Sequence, residues 1–477
     1  VIPSPEKRKK IILEKVKEVE QKLGYKAILS EKLLEEIVNL VEYPDYGIGT
    51  FDESFLSVPN EILISEMVDH QKFIPLSKNE KLVNKFIIIT NTIPNEKIIK
   101  GNEKVISARL NDGKFLYEED LKKSIEFFVE KTKELIFFEG LGTIYDKMKR
   151  VKQLSEILCD KLSIKEEKEN IIRASEILKF DLTTGVVYEF PELQGIIGYY
   201  YAKSFGEKEE VANYIKEHYK PISSDDNLPS TIGGCIVSMA DKLDNIFSLY
   251  SAGRKVSGSS DPYSLRRQLI GISRICIQNK YDIDLIEIYN QATNIYKNFF
   301  TKDKNEIIED LEQFISARLK SFFKEMGFKT DEIESTIRKT TNPYDAYLRV
   351  KSINSFRTKG DFVEVATLFK RVRNILTEAK FAIPKQIDTT ILLEEEKYLY
   401  NLINTKKEEV KNMIRNKQYE KVLSTLLEFK NPIHNFFEKV FVMDKDSKIR
   451  ENRLSLLFNL YEMFEELVDF NSMEFSQ

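Results

Sequence analysis

The chain has 477 residues, 31% charged and 42% hydrophobic, a balance that disfavours disordered, collagen-like and membrane-spanning classes. Lys and Arg total 73 against 77 Asp and Glu, so the net charge of −4 excludes a generally basic coat while leaving room for local basic patches. Cys159, Cys235 and Cys276 are too few and too scattered for a disulfide framework or a structural zinc site. The expected home is a reducing compartment, the cytoplasm, with no membrane partner.

Val1 is not an initiator Met, and the charges running from Glu6 to Glu18 leave no apolar core for a signal peptide. The sequence reads as either a processed protein or a fragment of a longer one, and the fragment is the favoured expectation. Residues 6–23 and 31–41 have helical apolar spacing, the second capped by Ser30. The run Tyr43–Phe51 reads as a turn between short extended pieces. Asn60 starts a further helix, and residues 72–76 and 83–90 read as strands. From about 140 to 335 the spacing is helical, interrupted by loops at 221–229 and 251–262. A turn at 340–343 opens a last helical block with one break near Pro384. The expected fold is an α+β N-terminal part followed by mostly α structure.

Charge is unevenly spread. Between Ser251 and Lys280 stand six basic residues (Arg254, Lys255, Arg266, Arg267, Arg274, Lys280) and one acidic, Asp261, a local +5. Asp261-Pro262 suits a helix start, with the carboxylate at N-cap and proline at N1. Leu265, Leu269, Ile272 and Cys276 then define a buried face, and Arg267 and Arg274, seven apart, share an exposed one. Arginines in a first turn oppose the helix dipole, a conflict that a docked phosphate relieves. The bland reading is a solvated face.

A second excess, +4 over residues 341–382, comes from eight basic and four acidic residues and includes Arg349, Arg357, Lys370, Arg371 and Arg373. Phe362, Val365, Ala366, Phe369, Val372 and Leu376 make 361–376 an amphipathic helix. Lys370 and Arg371 fall outside its core stripe, and Arg373 at its margin. A third constellation gathers Asp181, His218, Asp241 and Asp244, with the last two on one helical face. Helical His/Asp sets can hold a metal for phosphate-ester hydrolysis, but this chain has three histidines in all, and Phe180 precedes Asp181. No catalytic residue and no metal are expected here. Gly253–Ser260 lacks the lysine of a phosphate loop, Gly47-Ile-Gly49 is a lone GxG, and His70 reads as a satisfied structural histidine.

Read in order, several segments resemble the beta subunit of bacterial two-subunit glycyl-tRNA synthetase. They include Phe51–Pro59, Leu141–Lys147, Glu189-Phe-Pro-Glu-Leu-Gln-Gly195, Glu217-His-Tyr-Lys-Pro221, Ala240-Asp-Lys-Leu-Asp244, Gly258–Arg267 and Lys370–Leu376. The resemblance covers essentially the whole chain. It implies a tRNA-binding subunit without an active site of its own, whose alpha partner joins glycine to tRNA(Gly) with ATP and Mg2+. The resemblance also implies an enzyme of two alpha and two beta chains. It further implies a mixed α/β body at 1–135, a degenerate HD-like helical domain at 136–290, a helical linker at 291–340 and a DALR-like anticodon-binding bundle at 341–477. On this reading Arg254, Lys255, Arg266, Arg267 and Arg274 meet the acceptor side or backbone of tRNA. Arg349, Arg357, Lys370, Arg371 and Arg373 meet the anticodon. Ser260 and Arg373 depart from the residues usual at their places. The competing readings are an HD-type metal phosphohydrolase and a purely structural scaffold for the alpha subunit.

Overall fold

The computed structural model describes residues 1–256, 260–337, 340–379 and 386–474. Gly258 and the break expected near Pro384 lie outside the described residues. Two compact units organise the chain: residues 1–155, 166–219 and 229–238 form one, and residues 156–165, 220–228 and 239–477 the other. The fold is mostly helical with one small antiparallel sheet.

In the first unit, helix Pro5–Leu23 begins with the Ser4 hydroxyl accepting from Lys7 N and closes on Gly24, whose φ of 66° only glycine adopts cheaply. Helix Glu31–Leu40 is capped by Ser30, which accepts from Leu33 N at 3.1 Å. Ile12, Val16 and Val19 of the first helix and Leu33, Leu34 and Ile37 of the second pack with Ile74, Leu76 and Ile87 of the sheet. That sheet orders β1 (Lys26–Ala27), β3 (Ile74–Lys78), β4 (Lys81–Thr90) and β2 (Asp45–Thr50), all antiparallel. Asn79 and Glu80, with φ of 51° and 64°, turn β3 into β4.

One expectation needs correcting here. The run at 43–51 is not a turn but holds strand β2, paired from Asp45–Thr90 to Thr50–Lys85. A Cβ at Gly49 would sit 2.4 Å from the Phe86 ring, so the lone GxG marks close packing. The 26-residue helix Glu96–Leu121 has no counterpart in the sequence reading. Its buried face carries only Ile106, Leu110 and Tyr117 as large apolar groups, and Gly101 and Gly113 interrupt the periodicity.

The second unit ends in a helical bundle. Helix Gly360–Glu378 buries Phe362, Val365, Ala366, Phe369, Val372 and Leu376, the stripe that the spacing predicts. Phe369 meets Phe464 edge-on at 5.5 Å, and Leu399, Leu426, Phe429 and Phe436 fill the same core. Among the described residues no helix is long and apolar enough to cross a membrane.

Candidate nucleic-acid interface

The helix carrying the first basic cluster runs Leu265–Asn279, three residues later than the Pro262 start that the sequence favours. Ser264 adopts a left-handed φ of 55°, which prevents the helix from extending backward. Asp261 still caps it from across a turn, its two oxygens accepting from Leu265 N at 2.9 Å and Arg266 N at 3.0 Å. Leu265, Leu269, Ile272 and Cys276 are buried as the pattern requires.

Arg267 donates to Ile222 O at 3.3 Å and to the Ser264 hydroxyl at 2.9 Å. Arg274 donates to Ser223 O at 3.3 Å and to Asp226 O at 2.8 Å. All four acceptors are neutral, so both guanidiniums are oriented without having their charge cancelled. Lys255 differs, because it shares the Asp310 carboxylate with Lys302. Arg254 is half-buried, its backbone N–H bonded to Leu249 O at 2.8 Å. Sequence reasoning missed Arg318. Burial, followed by the positive charge of Arg266, holds its guanidinium below the ordinary arginine range. No local charge excess marks Arg318, since its helix Lys304–Glu325 carries five acidic residues against four basic.

The C-terminal arginines divide into two groups. Arg349 is buried, with Nε on Asp345 at 2.8 Å, Nη1 on Glu466 O at 2.5 Å and its guanidinium over the Tyr419 ring at 4.8 Å. Arg357 pairs with Asp331 at 2.6 Å and donates to Glu474 O at 2.6 Å. Both of these arginines spend donors on partners within the second unit, Arg349 from a buried position and Arg357 from a half-buried one. Lys370 is half-buried and donates to Met473 O. Arg371 is exposed, its guanidinium 4.2 Å from the centre of the Phe437 ring. Arg373 lies 5.1 Å from the Tyr461 ring. Rings fix the plane of a guanidinium while leaving its N–H edge open, which suits a base edge or a base face.

The His/Asp constellation is buried. Asp181 and His218 belong to the first unit, Asp241 and Asp244 to residues 239–477 of the second. Lys179 Nζ lies 3.0 Å from His218 Nε2 and 4.2 Å from the centre of the Tyr219 ring, while His218 Nδ1 meets Ile215 O at 2.6 Å. Asp181 accepts from Gly195 N at 2.5 Å, and burial pushes its carboxyl up to about 6. Asp244 accepts from the Tyr296 hydroxyl at 3.1 Å. Among the described residues no three His, Cys, Asp or Glu side chains are grouped to hold a metal. His70 is exposed, its ring edge-on to Phe190 at 5.7 Å. Four residues earlier the buried Glu66 opens a π-helical turn, and burial raises its carboxyl to about 7 against the pull of Arg109.

A family model described as glycyl-tRNA synthetase beta subunit matches residues 1–338, and one described as DALR anticodon binding domain matches residues 365–470. The chain is 39% identical to the glycine–tRNA ligase beta subunit of Thermodesulfovibrio yellowstonii over 99% of its own length and 69% of that protein's. It is 37% identical to the Clostridioides difficile beta subunit over the same shares. These matches, joined to a helical bundle bearing ring-supported arginines, define a subunit of an aminoacyl-tRNA synthetase. The chain belongs to the glycyl-tRNA synthetase beta subunit family.

Proposed function

We propose that this chain grips tRNA(Gly) for a glycine–tRNA ligase whose chemistry resides on an alpha subunit. The observation that carries the reading is the pair Arg371 and Arg373, held against aromatic rings within the stretch matched by the anticodon-binding model. Single-stranded anticodon bases can be stacked and read on their edges, and a planar guanidinium suits both tasks. The Leu265–Asn279 helix adds uncancelled charge for backbone phosphates.

In this reading the alpha subunit brings ATP and Mg2+, two alpha and two beta chains assemble in the cytoplasm, and this chain holds no cofactor. Residues 1–135 form the body, 136–290 a degenerate HD-like domain, 291–340 a linker and 341–477 the anticodon-binding domain. The Lys179 ammonium beside His218 supports the degenerate character, because a cationic side chain there repels a metal ion. The deciding experiment is glycine charging of tRNA(Gly) by the alpha subunit with and without the full-length beta chain, alongside tRNA binding by the beta chain. Charging and binding that both require this chain are expected. Undiminished charging without it would refute the proposal.

A further inference from the structure

Between helices Lys430–Lys439 and Ser447–Glu465 the chain makes a short irregular crossing. Along it burial alternates: Val440 and Val442 are each 5% exposed, whereas Phe441 is 74% and Met443 40% exposed. Two valines anchored in the core force the intervening phenylalanine outward, as side chains alternate along extended backbone. An exposed Phe is ordinary by itself. What distinguishes Phe441 is how firmly its backbone is held. Arg453 Nη1 donates to Phe441 O at 2.9 Å and to Asp444 Oδ2 at 2.9 Å, while its Nε binds the buried Glu396 at 2.5 Å. At the other end of the segment, Arg450 Nη1 donates to Asp444 O at 2.8 Å. An aromatic ring is thus presented to solvent on backbone held at both ends by arginines.

We infer that the Phe441 ring is a stacking platform for an unpaired base of the RNA loop that this bundle binds. The inference rests on the proposed function and deepens it by assigning a residue that contacts a base face rather than a base edge. Phe441 lies within the stretch matched by the anticodon-binding model. Along the chain, exposed Phe441 and Met443 are flanked by the charged residues Lys439, Asp444 and Lys445. A single ring presents a face suited to one nucleobase. Every base has a π face, so such a contact adds affinity with little sequence preference. It complements arginines that read edges.

The test titrates tRNA(Gly) into the full-length beta chain and its Phe441→Ala, Phe441→Leu and Phe441→Trp variants at several salt concentrations. The exposed ring predicts that all variants melt with the wild type. Ala and Leu should each weaken binding about tenfold, the scale of one base stack, while Trp stays within about twofold. The salt slope should not change, because no phosphate contact is removed. Leu binding as tightly as Phe would show that apolar bulk suffices, and unchanged binding in the Ala variant would show that the ring is idle. Either result overturns the inference while leaving the tRNA-binding reading intact. Lost association with the alpha subunit at unchanged tRNA affinity would assign the ring to a protein face and overturn it equally. A wild-type chain that binds no tRNA would remove the proposed function itself, and the inference with it.

Discussion

Two neighbouring helices of the second unit, Pro343–Arg357 and Gly360–Glu378, carry similar numbers of cations, yet only the arginines of the first are bonded to carboxylates. On the first, Arg349 and Arg357 turn toward carboxylates and backbone carbonyls. On the second, Arg371 and Arg373 lie along aromatic faces. A carboxylate partner consumes both the charge and the donors of a guanidinium. A ring consumes neither and still fixes its orientation. The sign and number of charges on a helix therefore say little about binding; what each charge faces decides it.

The contrast can be broken most forcefully at Arg349. Replacing it by Ala leaves Asp345 buried beside Tyr419 without its cation, which should cost about 3–5 kcal/mol in urea unfolding of the full chain. Arg371→Ala should cost under about 0.5 kcal/mol by the same measurement. Equal losses in the two variants would erase the distinction between the helices.

Buried carboxyls in the first unit sharpen the same point. The folded chain holds the Glu66 proton up to about pH 7, while the unfolded chain releases it near 4.5. The stability that this linkage contributes is thus fully present below about pH 4.5 and is lost as pH rises through about 7. A Glu66→Gln variant cannot lose it. Its stability relative to wild type should rise across that window, by about 3 kcal/mol in all. A constant difference between the two proteins from pH 4 to pH 8 would show that Glu66 ionises normally.

The smallest effect is expected at the Leu265–Asn279 helix. Arg267 and Arg274 face neutral acceptors, so the Arg267→Ala/Arg274→Ala double variant should lower the salt slope of tRNA binding by about two. Affinity should fall alike for cognate and non-cognate tRNA. An unaltered slope would mean that both arginines only brace the 220–228 loop.

Local pattern was legible and long-range partnership was not. The apolar stripe from Phe362 to Leu376, the Ser30 cap and the Asn60 helix start each follow from residues within a few positions. Arg349 carries one visible clue, Asp345 at i−4, but Tyr419 and Glu466 complete its site from 70 and 117 residues away. Phe437 and Tyr461, which orient Arg371 and Arg373, are similarly distant in sequence. Arg318 escaped because its neighbour Arg266 lies on another helix. Asp181, His218, Asp241 and Asp244 are legible as residue types, whereas partners such as Gly195 N for Asp181 and the Tyr296 hydroxyl for Asp244 are not. Lys179 is visible two residues before Asp181, but its meeting with His218, 39 residues on, is not.

The central claim is that the Gly360–Glu378 helix discriminates anticodons through arginines laid on rings. It is tested most directly by charging tRNA(Gly) and an anticodon-altered tRNA(Gly) with holoenzymes containing wild-type or Arg371→Ala beta chains. The predicted result is a ratio of kcat/KM values between the two tRNAs that collapses by about 1–3 kcal/mol in the variant, as expected for one lost base contact. A ratio identical in the two enzymes would contradict the claim and leave Arg371 as one more charge on a solvated face.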